Sequence, residues 1–118
     1  MILVDTSVWI DHLRKGDAEL AQALEAGGVM THPFIIGELA CGNLANRNSI
    51  LALLRTLPAT QVATDDEVSG FIQRRKLMGR DIGYIDVHLL ASIALTHGSR
   101  LWTRDKRLAA VASEVAKH

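Results

Sequence analysis

Residues 1–10 read Met1-Ile2-Leu3-Val4-Asp5-Thr6-Ser7-Val8-Trp9-Ile10, and this stretch decides the fold. Ile2-Leu3-Val4 is an unbroken apolar run, the pattern of a strand covered on both faces of a parallel sheet. Asp5 ends the run and Thr6-Ser7 open a helix. A carboxylate therefore stands just beyond the carboxyl end of a strand, where such sheets keep their ligand crevice. Val29-Met30-Thr31, Gln61-Val62-Ala63 and Leu101-Trp102-Thr103 are candidate partner strands. Helical patterns lie between them. One follows Asp5, a second covers Asp17 to Glu25 before Gly27-Gly28, and a third runs from Pro33 to Gly42. The others span Arg47 to Leu57, Asp65 to Gly79, Asp86 to Gly98 and Lys106 to Ala116. Strands separated by helices predict an α/β fold, a parallel sheet flanked by helices.

The chain has 118 residues, 48% apolar and 22% charged, enough for the core of one domain spanning 1–118, and it shows no repeat or linker. A single cysteine, Cys41, excludes an internal disulfide and a Cys-rich zinc site and implies a reducing compartment. It lies beside an apolar helical stripe and is expected to be buried and inert. No secretory leader pattern opens the sequence, and the most apolar helical stretch, Val87 to Leu95, falls far short of the roughly 20 residues a bilayer requires. A cytoplasmic protein with no membrane role is expected. Net charge is zero but unevenly spread: residues 1–70 hold nine acids and four bases, residues 71–118 four acids and nine bases. That polarity argues against a generic nucleic-acid glue and for local charge.

Most acids sit where solvent should reach them; four do not. Asp5 ends the first strand, and Asp105 follows the Arg100–Thr103 strand by two residues. Glu38 lies about 60° outside Ile35 on the shoulder of the Ile35, Ile36, Leu39, Ala40 stripe, which predicts half burial. Asp86 opens a helix whose only polar strip is His88, Ser92 and Thr96, so the rest of the domain must largely cover it. Each acid alone has a plain structural reading: helix caps for Asp5 and Asp86, a turn or cap for Asp105, a snorkelling surface residue for Glu38. Their joint arrangement says more, because two end parallel strands and two sit on helices that must pack on that sheet.

Four anions meeting in one pocket cannot all stay ionised without compensation. Oxygen ligands with no cysteine and no paired histidines select Mg2+, with Mn2+ as a substitute, over zinc. Such an ion lowers the pKa of an attacking water and neutralises an in-line phosphoryl transition state, so phosphodiester hydrolysis is the natural chemistry.

These residues resemble those of PIN-domain ribonucleases, with a close likeness to the VapC-type toxins of type II toxin–antitoxin pairs. Val4-Asp5-Thr6-Ser7-Val8-Trp9-Ile10 is similar to the family's first-strand signature, Gly37-Glu38-Leu39 to its helical glutamate motif, Ile85-Asp86-Val87-His88-Leu89-Leu90-Ala91-Ser92 to the third acidic motif, and Leu101-Trp102-Thr103-Arg104-Asp105 to the fourth. The resemblance runs nearly end to end. It implies a PIN-like three-layer α/β/α sandwich around a four- to five-stranded parallel sheet and an Mg2+-dependent endoribonuclease. Asp5 and Asp86 would be the principal metal ligands, Glu38 and Asp105 would complete the acidic pocket, and Thr6, Ser7 and Thr103 would position water and substrate. A homodimer is also implied, silenced by a cognate antitoxin whose C-terminal segment occupies the active-site groove.

An acidic pocket repels a phosphate backbone, so cations must stand around it. Arg104 and Lys106, which flank Asp105, are candidate RNA contacts, as are Arg74 and Arg75, which read equally well as a solvated helix face. Aromatics are too sparse for a stacking platform. Trp9 reads as core, and Tyr84 as a rim residue. The five histidines are scattered, with no helical pair of the i, i+4 kind, so a two-imidazole ribonuclease is not indicated. Metal-activated water needs no 2′-hydroxyl, so RNA rather than DNA follows from the resemblance alone. Two rivals remain. A receiver-like Mg2+-binding signalling domain expects adjacent acids after the first strand and an acceptor aspartate ending the third; this chain has Asp5 alone after the first and no acid at the Gln61–Ala63 strand end. A catalytically inactive PIN-fold binding module would keep the fold without cleavage.

Overall fold

The opening apolar run forms β1 (Ile2–Val4), the central strand of a three-stranded parallel sheet, in a computed structural model that describes residues 1–116. It is flanked by β2 (Val29–Met30) and β3 (Arg100–Trp102), in the order β2-β1-β3. Ile2 pairs with Val29 on one side and Arg100 on the other, and Val4 with Trp102. Leu3 and Val4 are fully buried, as expected of a strand covered on both faces. Asp5 N–H still donates to the Trp102 carbonyl at 2.9 Å, so the ladder runs to the residue that ends the strand.

Seven helices complete the described residues: α1 (Thr6–Lys15), α2 (Ala18–Glu25), α3 (Pro33–Cys41), α4 (Arg47–Thr56), α5 (Asp65–Arg75), α6 (Tyr84–Leu95) and α7 (Lys106–Ala116). The alternation makes an α/β sandwich, with α1, α3 and α4 in one contact series and α5, α6 and α7 in another. Three boundaries differ from expectation by two residues or more, one of them the end of α6, at Leu95 and not Gly98. α5 stops at Arg75, not Gly79, because Lys76 takes a left-handed conformation, φ 53°, and closes the helix. α6 starts at Tyr84, which makes Asp86 its third residue.

The sheet has three strands, not four or five. Gln61-Val62-Ala63 is not a strand; the pairing beyond β2 shifts to residues 58–60 and shrinks to one bridge, Thr31 with Ala59. There Thr31 N–H donates to the Pro58 carbonyl at 2.8 Å and Thr60 N–H to the Thr31 carbonyl at 3.0 Å. The ladder goes no further for two reasons: Pro58 has no N–H, and Gln61 N–H donates to Thr96 Oγ1 at 3.2 Å. Val62 is left 49% exposed.

The core joins the strands to one face of each helix: Val8 and Trp9 of α1, Leu20 of α2, Ile35 and Leu39 of α3, Leu54 of α4, Leu108 and Val111 of α7. α6 is the most enclosed helix, buried from Val87 to Ile93 with His88 and Ser92 included. Its expected polar strip is thus mostly interior, and its first turn comes to the surface, with Tyr84 and Ile85 exposed. Cys41 corrects another expectation. As the last residue of α3 it is exposed, beyond the reach of the core that holds Ile35 and Leu39.

Candidate active site

Asp5 is only 8% exposed, and the hydroxyls around it account for a carboxylate at that depth. Thr103 Oγ1 donates to Asp5 Oδ2 at 2.7 Å and Ser7 Oγ donates to the same oxygen at 2.9 Å. Ser7 is on the first turn of α1 and Thr103 follows β3, so the head of a helix and the end of a neighbouring strand grip one carboxylate. The grip extends outward: Arg104 N–H donates to Ser7 Oγ at 3.0 Å and Asp105 N–H to Thr103 Oγ1 at 3.1 Å. The helix-cap reading of Asp5 fails in detail, since its side chain makes no capping bond to α1.

Asp105 does cap a helix. Its Oδ1 accepts from Arg107 N–H at 2.9 Å and Leu108 N–H at 3.2 Å, at the head of α7. Capping orients the side chain while keeping it exposed. Asp86 Oδ2 accepts from Gly83 N–H at 3.0 Å, the reach-back from the third helical position that a capping box makes. Burial pushes the Asp86 carboxyl above the ordinary carboxylate value; the Gly83 hydrogen bond opposes this, and the charges of Asp5 and Asp105 push it further up. Asp86 in α6 therefore feels the charges of Asp5, just after β1, and of Asp105 in the β3–α7 turn.

Glu38 enters differently. It is exposed rather than half buried, and Thr6 Oγ1 donates to its Oε1 at 2.8 Å, which ties α3 to the first residue of α1. Among the described residues, no three histidine, cysteine, aspartate or glutamate side chains are gathered closely enough to enclose a metal ion. The donor set still suits a hard divalent cation, being carboxylate and hydroxyl oxygens around mutually repelling charge. Burial is the first cause of the elevated Asp86 carboxyl, and the charges of Asp5 and Asp105, the smaller cause, are what a cation would relieve.

The candidate RNA contacts separate. Lys106 opens α7 beside Asp105 and is exposed. Arg104 is drawn the other way: Nε donates to Asp11 Oδ2 at 3.0 Å, Nη2 to Asp17 Oδ2 at 2.6 Å, and the guanidinium lies 5.6 Å from the Trp102 ring centroid. Arg74 and Arg75 line a hollow with Phe71, Ala91, Ala94 and Leu95 along the later part of α6, whereas Asp86 is in its first turn. The structure does not bring those two arginines to the acids. Tyr84 is exposed, its hydroxyl 3.4 Å from Asp65 Oδ1 and its ring edge-on to buried His88 at 4.8 Å. Asp11 was not singled out from sequence, and Asp17 only as a helix start; Gly83 carried a signal in its three-residue spacing to Asp86.

A three-stranded parallel sheet between helices, with acids at the strand ends and at the head of α6, defines a class. The PIN domain family matches residues 2–114, and the chain belongs to it. Within that family it is of the VapC type. It is 51% identical over 114 residues to Ribonuclease VapC32 of Mycobacterium tuberculosis strain CDC 1551 / Oshkosh, covering 97% of this chain and 92% of that protein. The same identity and coverage hold for Ribonuclease VapC32 of strain ATCC 25618 / H37Rv.

Proposed function

We propose that this chain is an endoribonuclease, the toxin of a toxin–antitoxin pair, which hydrolyses RNA phosphodiester bonds with a divalent cation, Mg2+ or in its place Mn2+. The observation that carries the reading is the placement of Asp5 and Asp105 just beyond the ends of the adjacent strands β1 and β3, with Asp86 at the head of α6 near enough that their charges add to the burial that raises its carboxyl. Asp5 and Asp86 would hold the ion, with Glu38 and Asp105 completing the pocket directly or through water. When bound, the ion supplies charge neutralisation and activates the attacking water.

The chain's own residues do the rest. Ser7 and Thr103 both donate to Asp5 Oδ2, so neutral hydroxyls replace the water that burial has taken from this carboxylate and fix the direction in which it points. Thr6 orients Glu38, and the α7 cap orients Asp105. Lys106 offers an exposed cation to a phosphate beside the acids. The same reading carries a cognate antitoxin whose C-terminal segment fills the groove between the acids, a homodimer, and a cytoplasmic location. No helix among the described residues is long and apolar enough to cross a membrane.

Asp5→Asn tests the reading. Asparagine still accepts from both hydroxyls but holds a cation poorly, so Mg2+-dependent cleavage of a structured RNA falls at least about a hundredfold while the circular dichroism spectrum is unchanged. Unaltered cleavage by rigorously purified Asp5→Asn protein overturns it. A wild type that binds RNA without cutting it returns the inactive binding module to favour.

A further inference from the structure

Residues 103–105 belong to neither β3, which ends at Trp102, nor α7, which begins at Lys106. Yet this turn carries two site residues, Thr103 and Asp105, so something other than the sheet ladder must hold it. The Arg104 side chain spans from the turn to Asp11 in α1 and Asp17 ahead of α2. Asp17 divides its two oxygens: Oδ1 accepts from Leu20 N–H at 2.9 Å and caps α2, while Oδ2 takes Arg104. The Leu20 bond first, and Arg104 second, hold the Asp17 carboxyl below its ordinary value. Arg104 also anchors through its backbone to Ser7, which itself donates to Asp5.

We propose that Arg104 is a positioning residue and not an RNA contact: by bridging Asp11 and Asp17 it locks the 103–105 turn against α1, which fixes Thr103 and Asp105 relative to Asp5. This rests on the nuclease reading above. A planar guanidinium has the donors to meet two carboxylates at once and also face Trp102. To reach a phosphate it must leave both acids.

The test compares Arg104→Ala, Arg104→Lys and the double variant Asp11→Asn/Asp17→Asn, whose amide oxygen at position 17 still caps α2. Cleavage of a structured RNA in Mg2+ is read as kcat and KM, and Mn2+ affinity is read separately by electron paramagnetic resonance of the free ion. Both Arg104→Ala and the double variant lower kcat roughly tenfold or more with little change in KM. Arg104→Lys recovers part of the loss. The deciding sign is Mn2+ binding to Arg104→Ala: removing a cation near acids tightens metal binding if only charge matters, whereas a loosened turn weakens it.

Weaker Mn2+ binding supports the lock; equal or tighter binding overturns it. A rise in KM alone, with the logarithmic salt slope reduced by about 1, makes Arg104 a phosphate contact and also overturns it. If the wild type cuts no RNA, the nuclease reading fails, and the Mn2+ titration still decides the lock.

Discussion

Thr103 is held by two functions at one oxygen: its hydroxyl donates to Asp5 Oδ2 and accepts from Asp105 N–H. Thr103→Val keeps the shape and removes both bonds. We expect a loss of about 1–2 kcal/mol in urea unfolding, because one of the bonds is to a charged group, and a fall in kcat of roughly tenfold. Asp86 shows the opposite balance. Its folded carboxyl titrates above the ordinary aspartate value, first through burial and then through Asp5 and Asp105, so the folded state grips the proton more tightly than the unfolded one. At neutral pH the ionised group therefore costs stability, and that cost disappears as pH falls through the raised value. Asp86→Asn should raise the melting temperature of the metal-free protein by about 2–4 °C in calorimetry while abolishing cleavage. Carbon NMR of the wild-type carboxyl should show the upward shift directly.

Among the elements, α5 is closed at its head by a reciprocal cap: Thr64 Oγ1 accepts from Glu67 N–H at 3.1 Å and Glu67 Oε1 from Thr64 N–H at 2.9 Å. Thr64→Ala should cost about 1 kcal/mol by urea unfolding and leave cleavage intact, since α5 contributes none of the acids. The three-residue spacing of Thr64 and Glu67 is a sequence signal of this cap, although the acid run alone draws the eye. The candidate acids stood out in sequence for a related reason: Asp5 and Asp105 interrupt strand-to-helix junctions, and Asp86 interrupts an otherwise apolar helix head. Gln61-Val62-Ala63 misled because an apolar triplet does not say whether its backbone donors are free, and Gln61 gives its donor to Thr96. Glu38 and Cys41 misled because helical periodicity ranks the faces of α3 without saying how far the core reaches along it. The partners of Arg104, Asp11 and Asp17, are 93 and 87 residues away in sequence, and a pairing at that range leaves no periodic trace.

At the scale of the molecule, stability is linked to pH through His32, which is fully buried at the head of α3. Its Nδ1 accepts from Phe34 N–H at 3.0 Å, and its ring packs edge-on to Phe34 at 5.1 Å. Burial, and secondarily the nearby His88, lower its pKa from 6.5 to about 4. The unfolded chain takes up this proton below 6.5 and the folded chain does not until about 4, so this share of stability is intact above 6.5 and drains away as pH falls toward 4. Melting temperature should decline over that window, and His32→Asn, which preserves a capping acceptor, should flatten the decline between pH 6.5 and about 5. The strand order has a further reach. β1 is made first, and its neighbour β3 last; the bond from Thr103 to Asp5 closes a separation of 98 residues. A nascent chain thus displays Asp5 early in synthesis but has no Thr103 to clasp it and no Asp105 to face it until translation is nearly done. A product released before residue 103 lacks both groups and, on the reading proposed above, should cut no RNA, so activity arrives only with the finished molecule.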